Sequence, residues 1–119
     1  MGKEIQGRWG VITISREVIA TLAGIAAIEC FGIVGMVSSR FISDGISELL
    51  GREALSKGVE VIFKGDRLLI KVNIVVGYGT RISTIAQNVM EQVKYTVEKY
   101  TGLKVDNVEV NIQGVRVVD

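Results

Sequence analysis

An α+β fold is what this sequence predicts, and three stretches predict it. Within residues 58–77, VEVIFK and RLLIKVNIVVG are alternating runs joined by Gly65-Asp66, a composition suited to a two-residue hairpin turn. Residues 81–100 set Ile82, Ile85, Ala86, Val89, Met90, Val93, Val97 and Tyr100 at the i, i+3, i+4, i+7 spacing of an amphipathic helix, with Gln87, Glu91, Lys94 and Glu98 off that stripe. Residues 18–29 offer a second, more apolar helix after a β-branched run. A sheet with one apolar face and two helices with apolar stripes satisfy each other's burial. Both main helices are therefore expected on one face of one mainly antiparallel sheet, in the order β-α-(α)-β-β-α-β.

The first strand is expected over 5–14, IQGRWGVITI, with Gly10 as a bulge. Ser15 suits a helix N-cap, and Glu17 falls in the first turn, where the helix dipole favours an acid. That helix runs to about Glu29 and presents Val18, Ile19, Leu22, Ala23, Ile25 and Ala26 as a wide apolar face. Ala and Gly at 23, 24, 26 and 27 allow close approach of another backbone. Gly32-Ile33-Val34-Gly35 reads as a turn leading into an extended stretch, and SSRFISDGISELLG (38–51) as a weaker helix interrupted at Asp44-Gly45 and ended by Gly51.

The hairpin turn fixes the register of the next two strands. Phe63 is set opposite Leu68, Val61 opposite Ile70 and Val59 opposite Val72, with Ile74 and Val76 extending this core face. On the reverse, Glu60 opposes Lys71, Lys64 opposes Arg67 and Ile62 opposes Leu69. The charges predict a solvated face, and Ile62 with Leu69 form a small apolar spot on it that suits a contact surface. Thr101-Gly102 stops the long helix. In VDNVEVNIQGVRVV, Val108, Val110 and Ile112 alternate with Glu109, Asn111 and Gln113, the pattern of a half-buried last strand.

Residues 18–37 also have about the length of a bilayer span and one charge, Glu29. At mid-bilayer an acid costs roughly 2.5–3.5 kcal/mol, and large apolar side chains return only about 0.3–0.6 kcal/mol each. The sheet's apolar face needs a cover, so the segment is read as core, with Glu29 ending the helix. No direct membrane insertion is expected.

Composition narrows the chemistry. The 119 residues suffice for one domain, 1–119, and 48% apolar with 23% charged residues is a globular composition. Fourteen basic and 13 acidic side chains leave a net charge of +1, without the basic excess of a phosphate-backbone binder. There is no histidine, so the commonest general base and imidazole metal ligand are missing. The single cysteine, Cys30, fits a reducing compartment. MGKEIQGRWGVITISRE has no apolar signal-peptide core and no myristoylation pattern, and the protein is read as cytoplasmic.

No motif assembles an active site. Cys30 and the serines have no base partner, and Cys30 is read as a small buried residue. Asp44, Glu48 and Glu53 are read as an acidic helix surface, and no zinc or EF-hand spacing occurs. Gly32–Gly35 matches the GxxG of KH domains, which clamps nucleic-acid backbone, but Ile33 and Val34 prefer burial to phosphate. Gly77-Tyr78-Gly79-Thr80 is read as a helix-entry turn in preference to an anion cradle. Trp9, Tyr78, Tyr95 and Tyr100 are spread over more than one element, only Tyr95 and Tyr100 sharing a helix, and form no stacking platform. No catalytic residue, cofactor or metal is expected.

From GRWGVITISREVIATLAGIAAIECFGIVGM to TGLKVDNVEVNIQGVRV the chain resembles the alkaline shock protein family, envelope stress response proteins of Gram-positive bacteria. The resemblance rests on Gly32, Ile33, Val34 and Gly35, on the strand end VVGYG with Gly77, Tyr78 and Gly79, and on Gln92-Val93 before TGLKVDNVEVNIQGV. It implies a small cytoplasmic protein without catalytic residues, acting in envelope homeostasis or stress tolerance. It also implies self-association and peripheral membrane association through a separate anchored protein. The chain lacks charged terminal extensions and is similar to the short, housekeeping-type members. The α-β-β-α-β core also resembles ring-building modules of secretion and sporulation machines, an analogy of fold alone.

The expected function is thus a non-enzymatic interaction module, a homo-oligomer or partner-docking protein, with 5–14 or 105–113 as candidate edge strands. The alternative is a monomeric adaptor or regulatory subunit of a cytoplasmic lipid or small-metabolite kinase. KH-like RNA binding is the third reading.

Overall fold

The computed structural model describes residues 2–38, 48–49 and 56–117. Its strands are β1 (Gly2–Gln6), β2 (Val11–Ser15), β3 (Ile33–Val37), β4 (Glu48–Leu49), β5 (Val59–Lys64), β6 (Arg67–Gly77) and β7 (Lys104–Arg116). Its helices among the described residues are α1 (Arg16–Ile28) and α2 (Ile82–Thr101). The architecture is α+β, with a mainly antiparallel five-stranded sheet.

β6 is the axis of that sheet. β5 pairs with Arg67–Val72 and β3 with Ile74–Val76, both antiparallel, while β7 runs parallel to the whole of β6. Since β7 takes one edge of β6 throughout, β5 and β3 lie end to end along the other, with β4 beyond β3. The parallel pair needs a crossover, and α2 supplies it. The hairpin register is the one the turn predicts, from Lys64 opposite Arg67 to Val59 opposite Val72.

The strand expected over 5–14 is instead a hairpin of its own. β1 and β2 pair antiparallel as a separate two-stranded sheet, closed by Gly7 N–H donating to Gly10 O at 2.6 Å. Gly-Arg-Trp-Gly is thus a turn, and a bulge at Gly10 is the wrong reading of the same glycine. The helix expected over 38–51 falls mostly outside the described residues, and its described pair, Glu48–Leu49, is strand paired with Met36 and Val37.

Residues 18–37 divide between a helix, a turn and a strand. Ser15 Oγ accepts the Val18 N–H at 3.2 Å to start α1, which stops at Ile28 with Glu29 as its C-cap. Gly32 at φ 91° turns the chain into β3. No helix among the described residues is long and apolar enough to cross a membrane.

α1 packs on β3, β5, β6 and α2, and α2 packs on α1 and β7. The inward side of α1 is Ile19, Ala20, Ala23, Gly24, Ala26 and Ala27. The small residues win the inner face because they let the helix sit close to its neighbours, which leaves the expected face members Val18 and Ile25 partly exposed. On α2 the buried line is Ile85, Val89, Val93, Val97 and Thr101. Its predicted ends are corrected: Ile82 is 41% and Tyr100 67% exposed, because the neighbouring elements cover only the middle of the stripe.

Candidate interaction surface

The two-residue turn puts Ile62 directly opposite Leu69 on the sheet face away from the helices. Both are half-buried, and exposed Glu60 and Lys64 flank Ile62 on its own strand. Arg67 closes this end of the face through Asp106, with Nη1 to Oδ1 at 3.3 Å. Glu60 therefore faces Lys71 and Lys64 faces Arg67 around one apolar pair.

Among the described residues, β6 is less open on its reverse face away from this end. Further along β6, Asn73 and Val75 are buried, as is Val37 of the neighbouring strand β3. Asn73 is held there by polar partners: its Oδ1 accepts from Asn111 Nδ2 at 3.1 Å and its Nδ2 donates to Gly58 O at 3.5 Å. A buried amide needs such partners, and these also tie β7 and the start of β5 to β6. The expectation of a solvated reverse face holds from Glu60 to Arg67 and is corrected at Asn73 and Val75.

The glycine turns meet at the opposite end of β6. Gly77 N–H donates to Gly32 O at 3.0 Å, bringing Gly32–Gly35 beside Gly77–Gly79. A Cβ on Gly32 would collide with Ile85 Cδ1, so this turn has no room for a side chain beneath α2. Ile33 and Val34 are not a projecting loop. Ile33 pairs with Val76, and Val34 is the extra residue of a bulge before Gly35 pairs with Val75. The Gly77–Thr80 turn spends its donors internally: Gly77 N–H on Gly32 O, Tyr78 N–H on Arg116 O at 2.8 Å, and Thr80 N–H and Oγ1 on Gly77 O at 3.4 and 2.6 Å. Only Gly79 N–H is left to point elsewhere, which is too few donors to cradle an anion. Phe31 and Tyr78 are exposed beside these turns.

Cys30 stands next to this end, its Sγ donating to Ala26 O at 3.4 Å. Burial, and secondarily the neighbouring Glu29 carboxylate, push the thiol above its ordinary pKa. That is the reverse of what activates a thiolate nucleophile. Glu48 is described only as strand backbone, and Asp44 and Glu53 lie outside the described residues. Among the described residues no group of three His, Cys, Asp or Glu side chains could hold a metal ion.

One feature was not legible from pattern. A groove of about 1060 Å³ runs between the start of α1 and the outer edge of β5, lined by Ser15, Arg16, Ala20, Val59, Val61 and Phe63. The Arg16 guanidinium lies 5.2 Å from the Phe63 ring centre and roofs its end. The pairing of α1 with β5 sets this groove, and no local sequence signal encodes it.

The fold is a small α+β domain with apolar side chains on an open sheet face. The chain belongs to the family of alkaline shock protein 23, described by a cell envelope-related function, whose model matches residues 4–117. It is 49% identical over 119 residues to the uncharacterized protein YloU of Bacillus subtilis (strain 168), covering 100% of this chain and 99% of that one. It is 39% identical to the uncharacterized protein Spy1614 of Streptococcus pyogenes serotype M6, over 99% of this chain and 98% of that one. Among solved structures it resembles the cadmium form of a MamM CTD variant at 13% identity and TM-score 0.49, over 87% of this chain and 98% of that one.

Proposed function

We propose that this chain is a non-enzymatic structural module that self-associates, or docks on a protein partner, at the cytoplasmic side of the cell envelope. The carrying observation is Ile62 opposite Leu69, an apolar pair on the open sheet face beside the edge strand β5. Water-facing apolar pairs ringed by charge are suited to contacts that form and release, and a sheet edge adds backbone hydrogen bonds to such a contact. The envelope-related function of the family supports the location.

Sedimentation velocity on detergent-free protein over a hundredfold concentration range tests self-association. A concentration-dependent rise in sedimentation coefficient is expected, and a single monomer boundary throughout would remove it. Changing Ile62→Lys together with Leu69→Lys is expected to leave the fold intact and abolish assembly. Assembly that survives the double change would show that the pair is not the contact.

A further inference from the structure

The sheet has two long edges among the described residues, and they are not equally fit to pair. β7 is interrupted twice against β6, with Asp106 and Gln113 as extra residues, and Asp106 is engaged by Arg67. Bulges and charges of this kind blunt an edge. β5 is regular through six pairs, and among the described residues no strand pairs with its outer side.

The free groups on that edge can be named. Asn73 N–H donates to Gly58 O at 3.0 Å, so Gly58 and Asn73 are a bonded pair. Bonded and non-bonded pairs alternate along an antiparallel ladder. Glu60, Ile62 and Lys64 therefore bond inward to β6, and Val59, Val61 and Phe63 turn their backbone N–H and C=O groups outward. The groove beside α1 leaves space along this line.

We infer that β5 pairs antiparallel with β5 of a second copy of this chain, about a two-fold axis at Ile62. The inference rests on the self-association proposed above and specifies its contact. Two-fold pairing must match outward groups with outward groups, which permits only registers differing by two residues. Centring on Glu60 or on Lys64 sets like charges face to face. Centring on Val61 sets Glu60 against Ile62 of the other copy. Centring on Phe63 sets Lys64 against Ile62 and Glu60 against Asp66. Centring on Ile62 places Glu60 opposite Lys64 of the other copy twice, and Val61 opposite Phe63 twice. It also joins Leu69, Ile62 and their two symmetry mates into one apolar row across the open face. Of these registers it alone sets unlike charges opposite one another without a like pair or an apolar mismatch.

Charge exchange tests the register. In sedimentation velocity, Glu60→Lys and Lys64→Glu are each expected to weaken the dimer by about tenfold, since each turns two attractive pairs into two repulsive ones. The double exchange is expected to restore it. In a Cys30→Ala background, Ile62→Cys is expected to form a covalent dimer on mild oxidation, because the residue opposes itself at non-bonded pair spacing. Glu60→Cys, which opposes a different residue, is expected not to. An unmutated protein that associates while ignoring the charge exchanges and failing to cross-link at 62 would overturn the β5 contact and leave self-association standing. An unmutated protein that stays monomeric throughout would overturn both.

Discussion

Gly32 joins a turn conformation to a close packing contact. It holds φ 91°, where an L side chain is strained, and its missing Cβ leaves room for Ile85, itself buried in the core. Gly79 shares the positive φ, at 89°, but has open space around it. Gly32→Ala is therefore expected to cost about 2–4 kcal/mol, the backbone strain plus overpacking against Ile85. Gly79→Ala is expected to cost about 1–2 kcal/mol, the backbone strain alone. Urea unfolding midpoints of the two variants separate these contributions, and equal losses would refute the crowding at Gly32. Cys30 gives a pH signature at the same end of the molecule. Its folded-state pKa is raised by burial and by Glu29, so the folded protein holds that proton more tightly than the unfolded chain. The stabilisation is complete below the unfolded-state thiol pKa and is lost as pH rises through the folded-state value. Alkylation by iodoacetamide should accordingly rise with pH along a curve displaced upward from that of the urea-unfolded chain. Coincident curves would contradict the burial.

At the level of elements, α2 shows how far a helical pattern can be trusted. Its stripe was legible because apolar side chains recur at the helical period. Its ends were not, because the period says which side faces inward and not how much of it a neighbour covers. Val93, fully buried against the sheet and α1 cluster, is expected to lose about 1.5–3 kcal/mol as Val93→Ala, while Ile82→Ala is expected to lose less than about 1 kcal/mol. Thermal unfolding of the pair checks this, and a loss at Ile82 equal to that at Val93 would show that the stripe is covered to its end. α1 gives the complementary lesson. Counting hydrophobicity favours Val18 and Ile25 for the inner face, yet the alanines and Gly24 occupy it, since closeness of approach matters more there than side-chain size. The β5–β6 register, by contrast, follows from the two-residue turn alone.

For the whole molecule, stability is concentrated on β6. It has paired neighbours on both edges and Leu68, Ile70, Val72, Ile74 and Val76 in the core. The β1–β2 sheet has two strands only, with Trp9 at its tip 92% exposed. It is attached mainly through Ile5 and Ile14 packed on the core and Lys3 Nζ donating to Gly65 O. Two-stranded hairpins are marginal by themselves. Native-state hydrogen exchange is expected to give β6 amides the protection of global unfolding and β1–β2 amides much less, through local opening. Protection in the hairpin equal to that of β6 would show one cooperative unit.

The fold class, the β5–β6 register, the existence of both helices and the pairing of Ile62 with Leu69 were all legible in the residues alone. Each of these depends on residues close along the chain, through turn length, side-chain period or capping. Tertiary structure alone decided that Gly-Arg-Trp-Gly closes a hairpin, that β7 lies parallel to β6, that Asn73 and Val75 are covered and that β5 keeps an open edge beside α1. These depend on which distant segments share a neighbour, and a one-dimensional pattern carries the face of an element but not the identity of what covers it.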